Sequence, residues 1–202
     1  MGLFLSLLVG FGCGVLGVFV DGLNSEGLPF LEWSVGLYVT PPVLLGWMAV
    51  RPWLATVAGS ITCLSAVVGH LVAVRLAVDD YNVLVYGAWT LVALITGTIL
   101  GFLGNRIRSP TTSVRAWSAG FPLGLMAVFL LMCVQAQAET GGRAVHMGVF
   151  LLEGVLAVFV LTLCRGWAAR GAALVCAVAL VIPFIFVLIG VFMLVWFASG
   201  DY

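Results

Sequence analysis

Residues 145–164 read VHMGVFLLEGVLAVFVLTLC, an uninterrupted apolar run with one acid, Glu153, and one histidine, His146, near its start. A helix needs about 20 such residues, at 1.5 Å of rise each, to cross the hydrocarbon core of a bilayer. Near the bilayer centre a charged acid costs about 2.5–3.5 kcal/mol on the insertion scale. Each Leu, Ile, Phe or Val returns about 0.3–0.6 kcal/mol, so the run inserts despite Glu153. The acid must then face protein or water, because lipid offers it nothing.

The rest of the chain repeats this character. Further apolar runs cover 2–20, 34–50, 53–77, 83–104, 118–135 and 171–197. Of 202 residues, 63% are hydrophobic and 8% charged. Soluble domains carry about 25% charged residues, and one of this size could not hide so much apolar surface. Barrel strands would be shorter and would alternate apolar with polar. The reading is therefore an all-α, polytopic transmembrane helical bundle of about seven spans, six being possible, in one domain over 1–202. The first run has no basic leader and no small-x-small cleavage site before Asp21, so it reads as a span and not as a signal peptide.

Orientation follows from arginine. Arg51, Arg106, Arg108, Arg115, Arg165 and Arg170 fall in alternate loops that share one side; Arg75 and Arg143 fall on the other. The positive-inside rule makes the first side cytoplasmic and puts the N-terminus inside. Trp33, Trp53, Trp117 and Trp167 sit at span ends, as an interfacial belt would. Pro41 and Pro42, mid-way along the second span, predict a kink or a break there. Small residues recur at four-residue spacing in Gly10/Gly14, Ala55/Gly59/Cys63, Ala93/Gly97/Gly101 and Gly120/Gly124. That spacing lets helices approach closely, first within the bundle and, as the other use, in a homodimer or against a membrane partner.

Several function classes drop out. The formal net charge is zero, so no basic field exists for nucleic acid. HExxH, GxSxG and Walker motifs are absent, and no nucleophile–base pair stands out, so an enzyme is not expected. The five cysteines lie in apolar runs without CxxC spacing and read as small hydrophobes.

The polar candidates fall into one layer. By helical rise, Glu153 lies roughly 12 Å and His70 roughly 10 Å below the outer ends of their runs. Thr40 and Thr90 fall at roughly 9–10 Å, with Tyr38 and Tyr86 shallower. His146 lies seven residues before Glu153, close to the outer surface. The expected ligand-binding set is thus Glu153, His70, Tyr86, Thr90, Thr40 and His146, with Glu153 and His70 within reach of each other or of their neighbours. A bis-imidazole haem would need both histidines at one depth, and His146 is too shallow by roughly 9 Å. No cofactor or metal is expected.

The stretch from Asn24-Ser25 through Trp33, the Gly-rich second and third spans, and Gly97 to Gly104 followed by Asn105-Arg106 resembles a family of uncharacterised actinobacterial multi-pass membrane proteins, a domain of unknown function. The likeness covers the first half of the chain. It implies a bacterial plasma membrane location and gives no activity. A looser likeness is to the substrate-capturing subunits of energy-coupling-factor transporters, six-helix proteins that bind ligand in the outer third. The leading functional expectation is a small transport or ligand-binding membrane subunit built on the polar layer. The alternative is a structural or assembly subunit in which those groups only hold helices together. For topology, a reporter fused after Tyr202 should be active only if it needs the extracytoplasmic side; activity of a cytoplasmic reporter would overturn the span count.

Overall fold

A computed structural model describes residues 2–22, 35–77, 83–139 and 147–199. Within them the chain forms seven helices: α1 (Gly2–Gly22), α2 (Val35–Met48), α3 (Pro52–Ala77), α4 (Val83–Arg106), α5 (Thr112–Glu139), α6 (Met147–Leu163) and α7 (Trp167–Ser199). Each coincides with one of the apolar runs, and no strand occurs among the described residues. Three segments, Pro52–Arg75, Tyr86–Arg106 and Thr112–Met132, are long and apolar enough to cross a membrane; the other four helices contribute shorter apolar stretches.

The exterior matches that reading. Large apolar side chains lie open along α1 (Phe4, Leu8, Leu16), α4 (Leu91, Ile95), α6 (Leu151, Val155, Val158) and α7 (Val175, Val178, Phe186). An aqueous protein does not leave faces of that extent uncovered. Trp53, Trp117 and Trp167 are exposed at one end of the bundle; Trp33 lies outside the described residues.

Helix α2 is the hub, packing on α1, α3, α4, α5 and α6. Its buried positions, including Gly36, Val39, Thr40, Val43 and Gly46, form a broad stripe, and Leu37, Pro41, Leu44 and Met48 on the other side are more open. The main core gathers Val39 and Val43 of α2 with Leu100 of α4, Leu123 and Met126 of α5, Val160 of α6 and Ala173 of α7. Of the expected kink or break at Pro41-Pro42, the break does not occur: both prolines sit inside one continuous helix. Each proline still removes the donor for the carbonyl four residues earlier, at Leu37 and Tyr38. The thiol of Cys63 faces the Tyr38 carbonyl at 3.8 Å and takes up one of the two. Packing from five neighbours holds the helix where propensity alone would break it.

Small residues set the close crossings inside the chain. Gly10 and Gly14 of α1 lie against the α3 backbone at Thr62 and Ala66, and Gly120 of α5 lies against Cys176 of α7. Gly101 joins three helices. Its α-carbon side meets the carbonyl of Ala55 and the α-carbon of Gly59 on α3, while its own carbonyl abuts Gly46 of α2. Three helices share that point, with no room for a methyl group.

The end where α2, α4 and α6 finish has short turns, and arginine side chains close them. Arg108 Nη1 donates to the Trp47 carbonyl at 3.1 Å and Asn105 Nδ2 to the Ala49 carbonyl at 2.7 Å. Arg115 donates to the carbonyls of Ser109 and Arg165, and Arg170 Nε to that of Cys164 at 3.0 Å. Helix C-termini leave four carbonyls without donors and carry partial negative charge, so a guanidinium there satisfies both demands. Gly166, at φ 91°, makes the α6–α7 turn in the left-handed region that other residues avoid.

Replacing Gly101 by Val should cost at least about 1–3 kcal/mol through overpacking. The readout is a lower melting temperature in mild detergent, compared with Gly87→Val, where no atom lies within 4 Å. Equal melting of the two variants would show that the three-helix junction is looser than described.

Candidate functional site

The site begins with a mismatch of helix starts. Helix α6 begins at Met147 and α2 at Val35, and both run in the same direction. Glu153 of α6 nevertheless meets Gly36, the second residue of α2. Glu153 is fully buried, so its contact with Gly36 lies inside the bundle. The Gly36 amide is buried, and a buried backbone N–H needs an acceptor.

Glu153 supplies it. The residue is fully buried, and its Oε1 accepts the Gly36 backbone N–H at 2.7 Å. A carboxylate at a helix N-terminus also meets the positive end of the helix dipole. Gly36 makes the approach possible: a Cβ there would stand 2.6 Å from Oε2 and 2.8 Å from Cδ1 of Leu156. The contact is a helix cap delivered from another helix, 117 residues away in sequence.

His70 is buried on α3 and reaches α2 from elsewhere. Its Nδ1 lies 3.3 Å from the Tyr38 hydroxyl, and its ring centroid 6.4 Å from that of Tyr86 on α4. Helix α1 makes room with two glycines. The backbone of His70 lies against Gly14, and the Tyr38 hydroxyl lies 2.5 Å from where a Cβ of Gly17 would be. Gly36 and Tyr38 are two residues apart, and such positions do not share a helix face. Helix α2 therefore stands between the Glu153 contact and the His70 cluster. The expected shared site is two separate contacts, one on each side of the hub.

The remaining expected residues scatter. Thr40 is buried one turn below Gly36, and its hydroxyl has no hydrogen-bond partner among the described residues. Thr90 is exposed on α4, one turn from Tyr86, and its hydroxyl is spent on the Tyr86 carbonyl of its own helix at 2.8 Å. His146 lies outside the described residues. Gly36 escaped the sequence reading, because a glycine in an apolar run carries no polar signal.

Beside the cap lies a cleft of about 230 Å³ between α1 and α2, walled by apolar side chains such as Leu5, Val9, Leu44, Met48 and Leu156, with Thr40 and Gly36 at its inner edge. Glu153 does not line it. The two intramembrane polar contacts are thus closed against this space.

Over residues 1–194 the chain matches the family of unknown function DUF6518, and it belongs to that family. The match runs nearly the whole length, well past the first half that carried the resemblance in sequence. No curated protein and no solved structure matches the chain.

Glu153→Gln keeps one carboxamide oxygen for the Gly36 amide and should leave folded protein in the membrane. Glu153→Ala leaves that buried donor without its charged acceptor and should cost about 1.5–3 kcal/mol. Gly36→Ala should match the Ala variant, since its methyl displaces the carboxylate. Melting in detergent checks all three. Equal stability of the Gln and Ala variants would remove the cap from the account of this bundle.

Proposed function

We propose that this DUF6518 member is a multi-pass membrane protein with its N-terminus inside, acting as a structural or assembly subunit of a larger membrane complex. One observation carries the reading. Glu153, the residue with the strongest claim to chemistry, is fully buried and spends an oxygen on the α2 amide instead of facing a cavity. An intramembrane acid that served transport would need access for substrate, ion or proton. His70 and Tyr38 likewise face each other across helices. These polar groups act as helix glue, and the large side chains left open along the helices are apolar.

The surfaces suited to assembly are the open faces of α6 and of α7, which each pack on α5, where Val155 is 65%, Val158 60%, Val175 70% and Val178 72% exposed. Within a bilayer such contacts gain from packing and not from dehydration, so a smooth face of β-branched residues is a suitable partner surface. A plasma membrane location fits the arginine asymmetry, which the insertion machinery reads there.

A second reading, the small ligand-binding or transport subunit, is favoured by the α1–α2 cleft next to Thr40. Its ligand would be apolar, in keeping with those walls.

Native electrophoresis of the full chain extracted from its own membranes in mild detergent separates the readings. Assembly predicts migration as a larger species, lost in a Val155→Trp/Val178→Trp double variant that still folds. Migration as a monomer under every mild extraction condition would overturn the assembly reading and leave the cleft reading in front.

A further inference from the structure

The α1–α2 cleft follows α2 from Gly36 to Met48, a run of roughly 18 Å at the helical rise. One leaflet of a hydrocarbon core about 30 Å thick has nearly that depth. Its walls are apolar throughout, and at its lower end Leu5 and Met48 are 40% and 54% exposed, so it opens sideways toward lipid. A slot of this shape accepts one extended hydrocarbon chain.

The lower end also carries charge. Arg51 follows Met48 by three positions and is exposed. Arg108, also exposed, is tied to the same end of α2 through its bond to the Trp47 carbonyl, with its guanidinium 5.8 Å from the Trp47 ring. No acid of the chain offsets them: Asp and Glu are absent from residues 33–78 and 81–138. With one Nη committed to a carbonyl, Arg108 keeps further donors in fixed orientation, and a guanidinium is well suited to phosphate. Arg115 and Arg170, by contrast, are turned to turn carbonyls and half-buried.

We propose that the cleft and the two arginines at the same end of α2 form a binding site for one anionic phospholipid, its acyl chain lying along α2 between α1 and α2 and its phosphate reaching Arg51 and Arg108. The two halves are independent observations, an apolar slot and an uncompensated pair of arginines, meeting at one helix end. The proposal rests on the chain being membrane-embedded, with this end at the membrane surface. It does not depend on whether the protein works by assembly.

The test is native mass spectrometry of the full chain taken from lipid nanodiscs made of phosphatidylglycerol and phosphatidylcholine in equal amounts. Wild type should retain phosphatidylglycerol preferentially. Each arginine lost near a charged headgroup layer should weaken retention about fivefold. Arg51→Gln alone should show this, which covers the case that Arg108→Gln disturbs the turn it closes. Val9→Trp, filling the slot, should lower retention with both arginines present, while Arg75→Gln on α3 should change nothing. Equal retention of the two lipids by wild type, or a preference unaffected by both Arg51→Gln and Val9→Trp, overturns the site. Displacement of the lipid by soluble glycerol phosphate would also overturn it, since the ligand would then be a free phosphate. Recovery of the chain in alkali-washed membranes checks the embedded state separately, so failure of that premise is told apart from failure of the site.

Discussion

A buried carboxylate on a buried amide fixes this bundle. The Gly36 amide of α2 is buried and needs a partner that lipid cannot give. Glu153 meets that need from α6. Because α2 touches five other helices, anchoring its start sets the depth at which all of them engage it. The glycine junction at Gly101, the proline pair and the Tyr38–His70 contact then lie at fixed heights along one axis. The energetic logic is that of any buried polar group. Alone it is expensive, and in contact with oriented donors it becomes specific, because sliding α2 by one turn would leave both groups unpartnered.

The arginine-rich end solves the complementary problem. There, α2 and α6 end in short turns whose carbonyls need donors, and Arg108, Arg115 and Arg170 provide them from neighbouring segments. The arginines whose placement carries the expected orientation thus also close the turns at this end. A lysine in place of Arg115 could not reach Ser109 and Arg165 together, since a single ammonium lacks the fork.

The helices were legible because span length and continuous hydropathy are one-dimensional properties: all seven runs became helices with ends shifted by a few residues. Close packing at Gly101 and Gly59 was legible for a similar reason, as small residues four apart mark one helix face. The candidate site was not. Depth arithmetic placed Glu153 level with Thr40, whereas its contact on α2 is at Gly36. Two residues along α2 then divide Glu153 from His70, and rotation about a helix axis is invisible to a count of depths. Thr90 failed similarly, its hydroxyl satisfied by its own backbone and turned outward. The Pro41-Pro42 pair kept its helix because the cost of lost donors is met by tertiary contacts that no local rule contains.

The separation of 117 residues between Gly36 and its acceptor has a consequence for biogenesis. Synthesis at about 5–20 residues per second leaves α2 waiting roughly 6–23 s before Glu153 leaves the ribosome. During that interval a short, doubly prolinated helix with an uncapped start must be held in the membrane. Hairpin partners made alongside it, α1 and α3, are the available chaperones within the chain, and both already pack on it. Closure of the bundle is therefore a late, near-C-terminal event, and truncated or stalled chains that stop before α6 expose an unsatisfied helix end to membrane quality control.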